Sequence, residues 1–147
     1  MSTVKACLSQ KSGVVYSLES TSSVLQALQM MRDRKIRSVM VIDEGRLVGI
    51  VSQGDCAIRV LLPGWNPSQT RLSEIMTRDP LTVGVGSTHD QCMKIMVGRS
   101  IRHLPVVDDG HVVGMVSIGD IVKDIMQQQG EHIKYLETYI KGHAVEY

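Results

Sequence analysis

Hydrophobic and polar positions change their period along the chain in an order that predicts alternating strands and helices. A short run rich in β-branched residues at 14–18 favours a strand. From Val24 to Met31, apolar residues recur at helical spacing. Two nearly continuous apolar runs then surround an Asp-Glu-Gly turn within 38–52, which predicts a hairpin buried on both faces. The segment "CAIRVLL" follows and completes a β-α-β-β-α order.

The same pattern returns at a constant offset of 65 residues, so that 16–55 align with 81–120 without a gap. The match is strongest over the hairpins, where 35–55 and 100–120 are identical at 11 of 21 positions. Composition alone does not explain a gap-free match of this length, and we interpret it as two copies of one supersecondary unit. The second copy is predicted to have its first strand at 80–83, its helix at 87–96 and its hairpin at 103–117.

Two such copies predict an α+β fold in which both repeats pack together with pseudo-twofold symmetry. One copy of about 60 residues is too short to bury a stable core by itself. The apolar stripe of the last segment predicts a helix that either covers the core or faces a partner in a homodimer. The predicted limits are 4–62 for the first repeat, 63–71 for a linker loop, 72–126 for the second repeat and 127–147 for a C-terminal helical tail.

Composition and charge argue against several classes of partner. The chain has 16 basic and 15 acidic residues and only 3% aromatic residues, which is not typical of a nucleic-acid-binding surface. No apolar run approaches the roughly 20 residues that cross a bilayer, and the first residues lack the apolar core of a signal peptide. We therefore expect no nucleic-acid partner, no membrane partner and a cytoplasmic location.

The sequence contains no recognisable catalytic or metal-binding motif. Cys7, Cys56 and Cys92 are irregularly spaced, which favours free or buried thiols in a reducing compartment. Cys56 follows a repeated aspartate and is a candidate redox residue, but no second cysteine lies near it in sequence, so a packing role is favoured. The five histidines have no metal-ligand spacing, and P-loop and GxSxG motifs are missing. We predict no catalytic residue and no metal site.

The candidate chemistry lies where "GIVSQGD" (49–55) and "GMVSIGD" (114–120) end their strands. Asp55 and Asp120 could each act as the N-cap of the following helix, with the serine three residues earlier making a turn. Alternatively, each strand end and helix start could form a corner that binds anions and hydroxyl groups. In that corner a carboxylate would accept hydrogen bonds from both hydroxyls of a ribose.

A phosphate at such a corner would also need cations nearby. Arg37 and Arg102 occupy equivalent positions before the two hairpins, and His103 follows Arg102. Each arginine could equally be a solvated surface charge, although the duplication beside Ser and Asp favours a ligand role. Arg59 is a further candidate, or it pairs with Asp55 across one helical turn.

The motifs "KIRSVMVIDEGRLVGIVSQGD", "EIMTRDPLTV" and "HLPVVDDGHVVGMVSIGD" make the chain resemble a tandem cystathionine-β-synthase (CBS) domain pair, or Bateman module. The resemblance covers about residues 4–126. The C-terminal tail of the chain is also similar to that of small stand-alone CBS-pair proteins. It implies two clefts between the repeats that bind AMP, ADP, ATP, NAD(H) or S-adenosylmethionine. It also implies a regulatory sensor that is not an enzyme and that forms a homodimer.

The resemblance assigns roles to matching pairs of positions. Asp55 and Asp120 would hold ribose hydroxyls, each in its own cleft. Ser52 and Ser117 would contact phosphate or ribose. The positions that would line the adenine are Ile50, Met115, Tyr16, Ser17, Leu81 and Thr82.

The family geometry implies that the phosphate-binding residues are exchanged between the repeats. Arg102 and His103 would serve the cleft of Asp55, and Arg37 would serve the cleft of Asp120. The first copy has Ser38 where the second has His103. We therefore expect unequal clefts, with fewer cations in the Arg37 cleft and a more anionic ligand in the other.

The sequence thus favours an adenosine-nucleotide sensor, with AMP as the first expectation. Its two alternatives are a nucleotide-processing enzyme and a ligand-free structural or dimerisation module. No effector segment is recognisable, so the sensor reading requires self-association or an unknown protein effector.

Overall fold

The computed structural model describes residues 2–11 and 13–128. The first part of the chain forms α1 (Val4–Ser9), β1 (Ser17–Leu18), α2 (Val24–Arg34), β2 (Ser38–Asp43), β3 (Arg46–Ser52) and α3 (Gln53–Cys56), which continues as a π-helical segment (Ala57–Leu61). The second part forms α4 (Leu72–Ile75), β4 (Thr77–Arg78), α5 (His89–Arg99), β5 (His103–Asp108), β6 (His111–Ser117) and α6 (Ile118–Gln128). The predicted tail lies outside the described residues, apart from the end of α6.

The two hairpins have the same register, which confirms the predicted repeat and the α+β fold. Ser38 pairs with Ser52 at one end of the first hairpin, and His103 pairs with Ser117 at the same place in the second. Each hairpin turns through a glycine, Gly45 or Gly110, with φ of 79°. Glycine populates this left-handed region without the steric cost of a Cβ, so each Asp-Glu/Asp-Gly sequence closes a tight turn.

The first strand of the second repeat is shorter than predicted. A strand was expected at 80–83, but only Val83 forms a bridge there, parallel to Val106. Pro80 has no backbone N–H to donate to a sheet, which explains why pairing begins late. Instead, β4 extends the first sheet, whose strand order is β1-β2-β3-β4.

Helices α2 and α5 begin with the same capping arrangement. Ser23 accepts a hydrogen bond from the Gln26 amide, and the Gln26 side chain accepts one from the Ser23 amide. Thr88 and Gln91 repeat this arrangement at the start of α5. Two reciprocal bonds satisfy backbone donors that a helix start would otherwise leave unpaired. Within the described residues, no helix combines the length and apolar character needed to cross a bilayer.

Helix α1 packs into the core of the second repeat, although it precedes the first repeat in sequence. Val4 and Cys7 are buried with the apolar residues of α5, β5, β6 and α6. The Val4 amide also donates to the Ser87 carbonyl at 2.9 Å. Helix α1 therefore precedes the first repeat in sequence but belongs to the packed core of the second repeat.

Gly49 lies against β4 so closely that a side chain would not fit. A Cβ at this position would lie 2.5 Å from Met76 Sδ and 3.0 Å from the Thr77 carbonyl oxygen. We expect Gly49→Ala to lower the free energy of unfolding by about 1–3 kcal/mol, because the backbone of β4 must move. Urea denaturation followed by circular dichroism measures this change.

Gly114 provides the matched control at the equivalent position of the second repeat. The three atoms nearest to a Cβ there all belong to the Leu8 side chain, with Cδ2 at 2.8 Å, and the end of that side chain can rotate away. Gly114→Ala is expected to be the milder change. Equal losses of stability in both variants would contradict the backbone contact as the cause.

Candidate functional site

The repeated Ser-x-x-Asp sequences form the same hydrogen-bonded corner at both strand ends. The Ser52 amide donates to Asp55 Oδ2 at 2.9 Å, and the Asp55 amide donates to Ser52 Oγ at 3.1 Å. Ser117 and Asp120 form the same two bonds at 2.8 and 3.1 Å. The alternative in which each aspartate is the N-cap is therefore wrong. Serine caps the helix, and aspartate is the third helical residue that completes the capping box.

The backbone explains why an arginine recurs beside each corner. The Gln53 amide donates to the Arg37 carbonyl at 3.0 Å, and the Ile118 amide donates to the Arg102 carbonyl at 3.1 Å. Each arginine carbonyl thus satisfies the first amide of the helix that follows its own corner. This bond fixes the backbone of each arginine, and so the point from which its side chain extends, beside the interface between the repeats.

One cavity of about 620 Å³ opens between the repeats around Asp55, and we call it the Asp55 cleft. Its volume lies within the range of small-molecule sites. Part of its lining comes from the first repeat, and the rest comes from 77–81, the loop before β5 and the start of β5. Its lining includes Arg37, Ser38, Ile50, Ser52, Asp55, Asp79, Leu81, Arg99, Arg102, His103 and Pro105.

A second cavity of about 360 Å³ lies beside Ser117 and Met115. We call it the Asp120 cleft after the neighbouring corner, although Asp120 itself is not in its lining. The Ser38 hydroxyl lies between the two clefts and donates to Met115 Sδ at 3.4 Å. Both cavities share parts of the same two hairpin ends. The lining of the Asp120 cleft includes Lys11, Tyr16, Lys35, Arg37, Ser38, Met40, His103, Met115 and Ser117.

Each cleft has an arginine of the opposite repeat in its lining, as expected, although Arg37 also lines the cleft of its own repeat. Arg102 and His103, from the second repeat, line the Asp55 cleft of the first repeat. Arg37, from the first repeat, lines the cleft that contains Ser117. Arg37 and His103 also line both cavities. The placement agrees with the expected geometry, while the ligand roles of these residues remain predictions.

Four predicted ligand-binding residues are not in the lining of either cleft: Ser17, Arg59, Thr82 and Asp120. Asp120 accepts a hydrogen bond from Lys11, which does line the Asp120 cleft. Ser17 is paired with Met40 within the first sheet. Thr82 lines separate, shallower depressions of the surface. Arg59 donates to the Ile75 carbonyl at 2.9 Å, and its Nε lies 3.9 Å from Asp55 Oδ1. The alternative of an i,i+4 pair with Asp55 therefore describes Arg59 better than a direct ligand role.

Lys11 occupies the Asp120 corner, which sequence reasoning missed. Its Nζ donates to Asp120 Oδ2 at 2.9 Å and to the Met115 carbonyl at 2.8 Å. Burial opposes ionisation of Asp120, but the hydrogen bonds from Lys11 and Ser117 outweigh it and lower the pKa of this carboxyl. Lys11 precedes the repeated segment and has no counterpart in the second copy, so the repeat gave no signal for it.

The charges of the clefts correct a further expectation. The sequence predicts fewer cations in the Asp120 cleft, which Arg37 would serve. This prediction is wrong, because Lys11 and Lys35 line that cleft together with Arg37. The Asp55 cleft has three arginines in its lining but also a second carboxylate, Asp79. Burial, followed by the charge of Lys11, lowers the pKa of His103, which favours its neutral form as a hydrogen-bonding group.

Cys56 does not have the properties of a redox residue. Its side chain is 1% exposed, and burial, with the neighbouring Asp55 carboxylate, raises the pKa of the thiol to about 11. Reactive cysteines are exposed and have a lowered pKa. The packing role that the sequence favoured is the one the structure supports.

Comparison with known proteins identifies the family that has this repeat and these clefts. The family profile of the CBS domain matches the chain twice, over residues 12–61 and 72–127. The chain belongs to the CBS domain family. The resemblance to a CBS pair that the sequence motifs indicated is thereby confirmed.

Several proteins of known sequence or structure are similar to this CBS pair. A mitochondrial CBS domain-containing protein of Arabidopsis thaliana, CBSX3, is 30% identical over 82% of the chain. A solved structure from Burkholderia ambifaria, of a proposed signal-transduction protein with CBS domains, is 34% identical with a TM-score of 0.83, over 87% of this chain and 96% of that one.

A third comparison carries information about a ligand. The CBS domain pair of protein MJ0100 is 30% identical with a TM-score of 0.74, over 84% of this chain and 94% of that one. Its structure was solved with 5′-methylthioadenosine and S-adenosyl-L-methionine. The alignment spans only 61% of the Arabidopsis CBSX3 protein and 24% and 22% of two further Arabidopsis relatives.

Proposed function

We propose that this CBS pair is a regulatory module that binds an adenosine-containing ligand and couples its binding to the arrangement of the two repeats. The observation that carries the proposal is the Asp55 cleft, in which Asp55 of one repeat faces Arg102 and His103 of the other. A ligand that bridges both repeats changes the relative free energies of their arrangements.

The chemistry of the Asp55 cleft suits a nucleoside monophosphate. The Asp55 carboxylate is about one-fifth exposed, and only its Oδ2 accepts the Ser52 amide. Arg59 Nε lies 3.9 Å from Oδ1, beyond hydrogen-bond distance, so Oδ1 can accept from a ribose hydroxyl. The apolar side chains of Ile50 and Leu81 provide a surface for a purine ring.

The phosphate would lie on the arginine side of the same cleft. Arg37, Arg99 and Arg102 all reach its lining, and a guanidinium can bind a phosphate through two parallel hydrogen bonds. AMP is the ligand we expect first, with ADP, ATP, NAD(H) and S-adenosylmethionine as alternatives. The adenosine ligands of the MJ0100 pair support this class of compound.

The direct experiment identifies the ligand that copurifies with the protein and measures its affinity. We expect mass spectrometry of the denatured protein to release an adenosine compound, and calorimetric titration of stripped protein with AMP to show binding. GMP is the matched control, because it has the same ribose and phosphate. A lack of binding and of thermal stabilisation across all the adenosine ligands would instead favour the ligand-free structural module.

We further propose that this CBS pair forms a homodimer through an apolar patch that follows α3. Ile58, Leu61, Leu62 and Trp65 are 64, 56, 76 and 50% exposed. Large apolar side chains clustered at a surface are typical of association sites. Ile58 and Leu61 lie on the helical segment that begins at the Asp55 corner, and Leu62 and Trp65 follow its end, so ligand binding and association can influence each other.

Leu62→Glu is expected to convert the dimer to a monomer, weakening association at least tenfold, because an interface would bury its charge without a partner. Size-exclusion chromatography with light scattering over a range of concentrations measures this change. His111→Glu, at the exposed turn of the second hairpin, adds a similar charge outside the patch and should leave the association unchanged. Dimers that persist in Leu62→Glu would contradict this interface.

A further inference from the structure

Three side chains from three separate helices meet inside the second repeat, away from the two clefts. Cys7 Sγ of α1 lies 3.4 Å from His89 Nε2, at the start of α5. The same His89 nitrogen lies 3.2 Å from Asp124 Oδ2 of α6. The three residues are 2, 6 and 2% exposed, and their ligand atoms all lie within 4.8 Å of one another.

We propose that Cys7, His89 and Asp124 form a buried zinc site that fastens α1 to the second repeat. Zinc bonds of about 2.0 to 2.3 Å in tetrahedral geometry place neighbouring ligand atoms about 3.3 to 3.6 Å apart. The sulfur–nitrogen and nitrogen–oxygen distances are close to these values. Thiolate, imidazole and carboxylate are all groups that zinc prefers, and a water molecule can complete the coordination.

The charges of the cluster also suit a divalent cation. A deprotonated Cys7 and an ionised Asp124 have two negative charges, and His89 is neutral when it binds a metal, so zinc makes the group neutral. Buried charges are tolerated when they are paired or bind a metal. On binding, the Cys7 thiol proton passes to the solvent as the sulfur–zinc bond forms, and no group is oxidised or reduced.

The surroundings of Asp124 resemble the outer shell of a metal site. Gln10 Nε2 donates to Asp124 Oδ1 at 3.1 Å, and Gln128 Nε2 donates to Asp124 Oδ2 at 3.0 Å. Such bonds hold a ligating carboxylate in one orientation. Gln10 and Cys7 both come from the N-terminal segment, so this segment contributes a ligand and an orienting group.

A catalytic role for the Cys7–His89–Asp124 cluster fits the structure less well than a structural metal site. A nucleophilic thiol must be reached by its substrate, and Cys7 is 2% exposed. Burial, with the nearby carboxylates, raises the pKa of the Cys7 thiol to about 11 when no cation is bound.

The zinc site would also fix the position of Lys11 in the Asp120 cleft. Lys11 lies just beyond the end of α1, the helix that contains Cys7, and its ammonium group holds the Asp120 carboxylate at 2.9 Å. Cys7 Sγ itself lies 3.7 Å from the Asp120 carbonyl oxygen. Metal binding at the cluster therefore stabilises the contacts that occupy the Asp120 corner.

The experiment uses the full chain, reduced and stripped of metal with a chelator, and titrates it with Zn²⁺ against a chromophoric competitor. We expect one zinc per chain and a higher thermal midpoint with zinc bound. Co²⁺ in the same site should show the intense visible bands of tetrahedral coordination and a thiolate-to-cobalt charge-transfer band. Cys7→Ser and His89→Gln should each lower zinc affinity at least 100-fold and remove or weaken the thiolate band.

Two further variants separate loss of the metal site from loss of the fold. Cys56→Ser removes another buried thiol, in the first repeat, and should leave zinc affinity and the cobalt spectrum unchanged. Gln10→Ala leaves all three ligands in place and should weaken zinc binding about 10- to 100-fold. Circular dichroism and urea denaturation confirm the folding of each variant.

Two results would overturn the proposal. The first is stripped wild-type protein that binds no stoichiometric zinc, which would leave the Cys7–His89–Asp124 cluster as a hydrogen-bonded contact. The second is stoichiometric zinc that persists in folded Cys7→Ser and His89→Gln, which would place the metal elsewhere, for example at His132 or His143 beyond the described residues.

Discussion

Asp55→Asn is expected to weaken AMP binding by roughly 10- to 100-fold, because a charge-assisted hydrogen bond to the ribose contributes about 1.5–3 kcal/mol. Asparagine retains an oxygen that can accept the Ser52 amide, so the capping box and the fold should survive. Calorimetric titration of stripped protein with AMP measures the change. Asp55→Ala would remove the cap as well as the ligand contact and is the less informative variant.

Asp120→Asn is the matched variant in the other repeat. Lys11 already holds the Asp120 carboxylate, so a ribose must compete with an ammonium group for it. We therefore expect Asp120→Asn to have a smaller effect on AMP affinity than Asp55→Asn. Equal affinities for AMP in the wild type and in Asp55→Asn would exclude the ribose role of Asp55.

Arg102→Gln separates recognition of the phosphate from recognition of the ribose. It should weaken AMP binding but leave adenosine binding nearly unchanged, because only AMP has a charge for the guanidinium to contact. Asp55→Asn should weaken both ligands. A loss of adenosine binding in Arg102→Gln would indicate that Arg102 shapes the cleft and does not bind the phosphate.

Leu104→Ala is expected to give the largest loss of stability, about 2–5 kcal/mol. Leu104 lies on β5, is fully buried and belongs to the apolar core into which α1, α5 and α6 pack. Truncation removes buried apolar surface and leaves a cavity that this tightly packed core fills only in part. Urea denaturation followed by circular dichroism measures the loss.

Leu25→Ala is the control for the same chemical change at the surface. Leu25 is 39% exposed on α2, and alanine has a high helix propensity, so the free energy of unfolding should change by less than about 1 kcal/mol. A similar loss in both variants would show that the core around Leu104 does not determine the stability of the chain.

The sequence was sufficient to predict the repeats, the hairpins and their α+β arrangement. A hairpin is encoded locally, because two apolar runs and an Asp-x-Gly turn determine which residues pair. The same locality made the Ser-x-x-Asp corners visible, since three residues separate the two partners. The sequence did not show, however, that Ser52 and not Asp55 is the N-cap of the helix.

The first strand of the second repeat shows where local reasoning fails. The segment at 80–83 has the apolar character of a strand, but a strand also needs donors and a partner in register. Pro80 lacks a donor, and the chain before it pairs with β3 of the other repeat. The choice between these pairings depends on contacts between the repeats, which the local pattern does not contain.

For this protein, the sequence by itself determined the duplicated unit, the two Ser-x-x-Asp corners and the arginine beside each corner, because all of these are short-range patterns that recur at one offset. Only the tertiary structure decided which side chains share a cleft with them. It placed Lys11 on Asp120 and joined Cys7 to His89 and Asp124, and it showed Arg102 in the cleft of Asp55, which the sequence had indicated only through its family resemblance. Each of these contacts connects distant parts of the chain, so it depends on how helices and hairpins pack and has no period or spacing that a sequence could display.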